Sequence, residues 1–180
     1  MTVVVALARA VNVGGRPLRS ADLREVATSL GCRAVATYLA SGNLVAVTDL
    51  EPEALAGALG NALGERAGFE VPVIVRDLAA WDAAVDGLSY PRQAREAPSR
   101  VALVAFDGPV RAGAQVDPAR TDREQVTWSG SHAYVWYPDG QGRSRLTLDV
   151  LSKAAGRTGT ARNWSTVLAL AALGHERADR

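Results

Sequence analysis

Cysteine occurs once in this chain, at Cys32, so no internal disulfide can form and a reducing compartment suits the protein. Lysine also occurs once, at Lys153, and arginine carries the rest of the positive charge. Twenty basic residues face nineteen acidic ones, a formal net charge of +1, which argues against a generally basic nucleic-acid coat and leaves only a local basic patch open. The two histidines, His132 and His175, stand far apart, and nothing has the spacing of a Cys/His metal cluster, so no metal is expected. No apolar run approaches the length of a membrane span. The apolar start, Met1 to Ala10, has no basic n-region and no cleavage site beyond Arg9, so it reads as a buried strand and not as a secretion signal. A cytoplasmic protein without a membrane partner is the expectation.

What is present is apolar material: 48% of the 180 residues are hydrophobic, enough for one large domain or two small ones. Residues 2–9 read as a β-branched strand. Ser20 can cap a helix to about Leu30, with Leu23, Val26 and Leu30 on one face and Gly31 as the stop. Arg33 to Ala40 and Leu44 to Thr48 flank Ser41-Gly42-Asn43 as a hairpin. Pro52 opens a helix to Ala67 with Leu55, Leu59 and Leu63 on a stripe, and Gly60 and Gly64 allow close packing. Val71 to Arg76 is a fourth strand, and Asp77 caps a short helix. The order βαββαβ is ferredoxin-like.

Residues 87–100, with Gly87, Pro91 and Pro98, read as a linker between an N-terminal half, 1–86, and a C-terminal half, 101–180. The second half repeats the outline: a strand from Val101, a turn of helix near 117–124, a hairpin around Ser129-Gly130-Ser131, a helix over 143–155 ended by Gly156, a short strand over 158–162 and a last helix from Asn163 stopped by Gly174. The expected fold is therefore α+β, with two ferredoxin-like halves, each an antiparallel sheet with helices on one face.

Four polar stretches interrupt these elements. Arg9 to Gly15 follows the first strand. Gly14 and Gly15 suit a turn with positive φ, while Asn12, flanked by Arg9 and Arg16, is not needed for apolar packing. Ser41 and Asn43 belong to the hairpin turn. The stretch Tyr137-Pro138-Asp139-Gly140-Gln141-Gly142-Arg143-Ser144-Arg145-Leu146 joins a strand to a helix. Backbone N–H groups at Gly140 and Gly142, the Ser144 hydroxyl and the Arg143 guanidinium together suit an anion. Arg143 and Arg145 point apart if a helix already includes both, which gives Arg143 the larger claim. Arg162-Asn163-Trp164 opens the last helix, with Asn163 as its cap, Trp164 as a core plug and Arg162 as the residue without a structural task.

The motifs Arg9-Ala10-Val11-Asn12-Val13-Gly14-Gly15, Tyr38-Leu39-Ala40-Ser41-Gly42-Asn43, Pro138 to Leu146, and Thr160-Ala161-Arg162-Asn163-Trp164-Ser165-Thr166-Val167 occur in that order. Together they resemble the bacterial family catalogued as domain of unknown function 1697. That family usually reads Arg-Gly-Ile-Asn-Val-Gly-Gly at the first motif, where this chain has Ala10, and Gln before Ser-Gly-Asn, where it has Ala40. The resemblance implies a two-part α+β fold and carries no established activity.

The expected function is binding of a small anionic or phosphorylated ligand between the halves, through Arg9, Asn12, Arg143, Arg145 and Arg162. If there is catalysis, Asp139 is the clearest acid. The alternatives are a nucleic-acid-binding module using the same arginines on phosphates, and an interaction domain without a ligand. No cofactor or oligomeric state can be read from the residues.

Overall fold

The computed structural model describes residues 1–12, 14–15 and 17–179. Val13 of the first motif and Arg16, just after it, lie outside the described residues. The chain divides into two compact units, Met1–Ala83 with Ala169–Arg180, and Ala84–Leu168.

In the first unit the strands are β1 (Thr2–Ala8), β2 (Arg33–Tyr38), β3 (Asn43–Thr48) and β4 (Val73–Asp77), in the antiparallel order β2-β3-β1-β4. The register sets Val5 opposite Val45 on one side and Arg76 on the other. The β-branched run of β1 explains its central place: from Val4 to Ala8 every residue is buried, so both faces of the strand are covered. Helices α1 (Ser20–Ser29) and α2 (Pro52–Ala67) follow β1 and β3. Leu23, Val26 and Ala27 of α1 and Leu55, Leu59 and Leu63 of α2 share one core with Val4, Ala6, Leu44 and Ala46. Gly60 and Gly64 bring α2 close to the chain after it, since a Cβ at Gly60 would stand 3.1 Å from the Val71 carbonyl oxygen.

Ser20 is the first helical residue of α1 and not its cap. Arg19 takes the cap position and contributes no side-chain bond to the helix end. Asp22 in the first turn instead holds Arg19 through two 2.8 Å hydrogen bonds. At the other end of α1, Gly31 has φ +84 and Cys32 N–H returns to the Ala27 carbonyl at 3.0 Å. Asp77 does accept from Ala80 N–H, at 2.7 Å, at the start of α3 (Leu78–Asp86).

In the second unit β5 (Val101–Phe106), β6 (Gln125–Ser129), β7 (His132–Trp136) and β8 (Gly159–Asn163) take the order β6-β7-β5-β8, the same permutation. The described residues thus form two four-stranded antiparallel sheets, each in ferredoxin-like order, and the fold is α+β with two similar halves. Residues 87–100 are not featureless: they hold α4 (Pro91–Glu96) and a 3-10 turn at Pro98–Arg100, with Tyr90 and Ala94 buried. The connection from β5 to β6 carries a single 3-10 turn, Pro118–Arg120, capped by Asp117, which accepts from Ala119 N–H at 2.9 Å.

The helix expected over 143–155 begins later, as α5 (Leu148–Ala155), with Thr147 as its cap. The reason is local. Leu146 is fully buried, Ser144 Oγ accepts its N–H at 2.9 Å and Tyr137 donates its hydroxyl to its carbonyl at 3.3 Å. Those bonds hold the chain extended until Leu146 has entered the core. The last helix, α6 (Trp164–Ala178), passes Gly174 without stopping. A Cβ at Gly174 would stand 2.5 Å from Leu78 Cδ1, so that glycine serves a close approach to α3.

Candidate functional site

Two polar concentrations emerge, one in each unit. In the first, the loop after β1 meets the β2–β3 turn. Asn12 donates to the Leu18 carbonyl at 2.9 Å and accepts from Leu18 N–H at 2.8 Å, and its Nδ2 also donates to the Ala40 carbonyl. Ala8 N–H donates to the Gly42 carbonyl at 2.8 Å. The side chain of Asn12 therefore clasps its own loop and ties it to the hairpin. Asn43 is fully buried, donating to the Tyr38 carbonyl at 2.9 Å and to Ser41 Oγ at 2.8 Å. Gly42 has φ +75, and a Cβ there would meet Ala8 Cβ and Val11 Cγ2, each at 2.8 Å. Ser41, Gly14 and Gly15 are exposed, and Arg9 anchors its own N–H on the Pro72 carbonyl at 2.8 Å. The polar groups here hold a turn together, and three of the non-glycine residues around it, Ala10, Asn12 and Leu39, sit at positive φ.

In the second unit the stretch from Tyr137 to Leu146 faces the charged segment Arg120 to Glu124 across a cavity of about 120 Å³. That volume is room for about four waters at about 30 Å³ each, or for one tetrahedral oxyanion. Asp139, Gly140, Arg143 and Ser144 line it, and Arg145 joins them. Both arginines converge because neither is on a helix: Arg143 ends a 3-10 turn and Arg145 precedes α5. Gly140, at φ +85, takes the turn that Pro138 begins, its N–H donating to the Tyr137 carbonyl at 3.0 Å. Gly142 is not part of the cavity wall. Arg100 Nη1 supports the turn by donating to the Pro138 carbonyl at 2.7 Å.

The acids beside the cavity are mostly engaged. Asp139 pairs with Arg123 at 3.2 Å. Glu124 accepts from Ser144 Oγ and, at 2.8 Å, from Asp122 N–H. The Ser144 bond holds the Glu124 carboxyl below its ordinary range, with the backbone N–H groups adding to it and burial opposing. Burial, with the Glu124 charge behind it, pushes the Tyr137 phenol up. Ser144 is thus a link between Glu124 and Leu146, not a free hydroxyl. Among the described residues Arg120, Arg143 and Arg145 have no ion-pair or hydrogen-bond partner for their side chains.

Arg162 and Asn163 lie away from this cavity, on β8. Asn163 Oδ1 caps α6, accepting from Thr166 N–H at 2.9 Å. Arg162 is half-buried, donates to Thr160 Oγ1 and to the Ala161 carbonyl at 2.8 Å each, and burial lowers its guanidinium to about 10. Sequence reasoning passed over Arg120 and Arg123. The signal was the run Arg120-Thr121-Asp122-Arg123-Glu124, a dense charge cluster in a connection with almost no apolar period. Among the described residues no group of three His, Cys, Asp or Glu could hold a metal ion, and no helix is long and apolar enough to cross a membrane.

A family model described as a protein of unknown function, DUF1697, matches residues 1–134. A solved structure of similar fold is that of the conserved bacterial protein SP0830 from Streptococcus pneumoniae. It is 18% identical with a TM-score of 0.68, over 96% of this chain and 98% of that one. No curated protein matches the chain.

Proposed function

The chain belongs to the DUF1697 family of proteins of unknown function, and on that premise we propose a role read from its own residues: it binds a small oxyanion-bearing ligand, such as a phosphorylated molecule, in the arginine-lined cavity of the second unit. One observation carries the reading. Arg120, Arg143 and Arg145 surround a hollow large enough for an oxyanion, Asp139 is paired with Arg123, and the four arginines of the wall outnumber its three carboxylates, Asp122, Glu124 and Asp139. Guanidinium groups meet phosphate or carboxylate oxygens through paired N–H donors, which favours arginine over lysine here. The lone buried cysteine, Cys32, whose thiol is pushed up by burial, supports a cytoplasmic setting.

Titration calorimetry with inorganic phosphate tests the reading, on wild type, Arg143→Ala and Arg143→Lys. A charge-assisted contact contributes about 1.5–3 kcal/mol, so Arg143→Ala should weaken phosphate about 10- to 100-fold. Arg143→Lys should recover part of that loss, because it restores charge without the planar fork. Equal, negligible heat from wild type and Arg143→Ala would leave the cavity as a mere strand-to-helix connection.

A further inference from the structure

A second hollow adjoins the first. Its volume is about 240 Å³, and Arg120 lines both. One wall is a single face of α5: Val150, Lys153 and Ala154, spaced three and four residues apart, stand side by side. Arg111 and Gln115 supply the other wall, with Asp117. Arg111 is fixed there by its N–H, which donates to the Ala155 carbonyl at 3.0 Å. The Asp117 carboxylate accepts from Ala119 N–H at 2.9 Å and so serves the 3-10 turn that presents Arg120. Among the described residues Arg111 and Lys153 have no side-chain ion-pair or hydrogen-bond partner, and Lys153 is the one lysine of the chain. The second hollow therefore offers two cations, the Asp117 carboxylate and a patch of methyl groups, and it shares Arg120 with the first.

We infer that the ligand is a small organic molecule bearing two anionic groups, for which Arg120 is the shared contact. One group sits with Arg143 and Arg145. The other sits with Arg111 and Lys153, and the carbon skeleton between them lies on Val150 and Ala154. The inference rests on the proposed anion site and adds the class of ligand. A single inorganic ion would leave the second pair of cations and the apolar wall without a task. The near-neutral balance of the whole chain disfavours a nucleic-acid strand as the occupant.

The probes are inorganic phosphate, fructose 6-phosphate, fructose 1,6-bisphosphate and a short oligothymidylate, titrated at one salt concentration against wild type, Lys153→Ala and Arg143→Ala. The bisphosphate should bind wild type at least about tenfold more tightly than the monophosphate, the value of one further charge-assisted contact. Lys153→Ala should abolish that ratio and leave inorganic phosphate binding unchanged. Arg143→Ala should weaken all three small probes. Phosphate binding that depends on Arg143, with no preference for the bisphosphate or a preference that survives Lys153→Ala, would overturn the two-group ligand and leave the proposed anion site standing. Oligothymidylate binding more tightly than the bisphosphate would overturn it in favour of a nucleic-acid strand. The absence of binding by every probe would overturn both.

Discussion

Replacing Ala10 by glycine should make the protein more stable. Ala10 has φ +57, in the left-handed region, where a Cβ crowds the following carbonyl at a cost of about 1–2 kcal/mol. Glycine removes that crowding but adds freedom to the unfolded chain, an opposing effect of about 0.4–1 kcal/mol. The half-buried methyl contributes little packing, so the net gain should be about 0.5–1 kcal/mol. For a chain of this length that is a rise in Tm of about 1–4 °C, readable by scanning calorimetry. Asn12, at φ +58, is the control. Its backbone is in the same region, yet asparagine tolerates it, and the amide makes the bonds to Leu18 and Ala40. Asn12→Gly should therefore cost about 1–3 kcal/mol from the lost hydrogen bonds. Opposite signs at two neighbouring left-handed residues are the expectation. A lower Tm for Ala10→Gly would mean that backbone strain does not govern this loop.

Asp22 supplies a pH-dependent prediction. The hydrogen bond from Arg19, followed by the charges of Arg19 and Arg66, holds its carboxyl at about 2, below the ordinary 3.8, although burial opposes this. A folded-state value below the unfolded one gives stability that is present above 3.8 and lost as pH falls towards 2. Asp22→Asn should lower Tm at neutral pH and flatten its fall across that acid window, and an unchanged slope would remove Asp22 as the cause. In the second unit Trp164, 4% exposed and edge-on to Tyr134 at 6.5 Å, should cost about 3–5 kcal/mol on replacement by alanine. Arg162→Ala should cost less, because it also removes a guanidinium that burial has made harder to keep charged. Urea melts of the two variants compare them, and equal losses would make Arg162 as much a core residue as Trp164.

Much of the fold was legible because periodicity and turn chemistry agreed. The leucine stripe of α2, Gly31 beyond α1 and the hairpin at Ser41-Gly42-Asn43 each announced an element that the structure contains. What misled was local bonding that only three dimensions reveal. Arg143 to Leu146 has helix-compatible residues, but the bonds on Leu146 and its burial delay α5 to Leu148. Gly174 looked like a stop because its close approach to Leu78 brings together residues far apart in sequence. The same holds for the polar motifs. Asn12 appeared free of structural duty, since nothing in the sequence says that its amide will bond Leu18 and Ala40. Arg143 was visible as a candidate anion ligand, whereas Arg120 joins it on the cavity wall only through the fold of the β5–β6 connection.

The two units share a topology, and the place where they differ bears on function. In the first, β1 and β2 are joined through α1, whose Leu23, Val26 and Ala27 close one side of the core. The corresponding connection in the second, between β5 and β6, has no such stripe. Pro118 interrupts it, charged residues fill Arg120 to Glu124, and Val110 and Val116 are its apolar anchors in the core. A helix there could bury too little to repay its ordering. The segment instead carries a single 3-10 turn, and two hollows edged by Arg111, Arg120, Arg143, Arg145 and Lys153 lie along it. The repeat gives up core at one connection, and the cations set along that connection are those of the proposed oxyanion cavity. That difference supports placing the proposed anion site in the second unit and not at the internally bonded turn of the first.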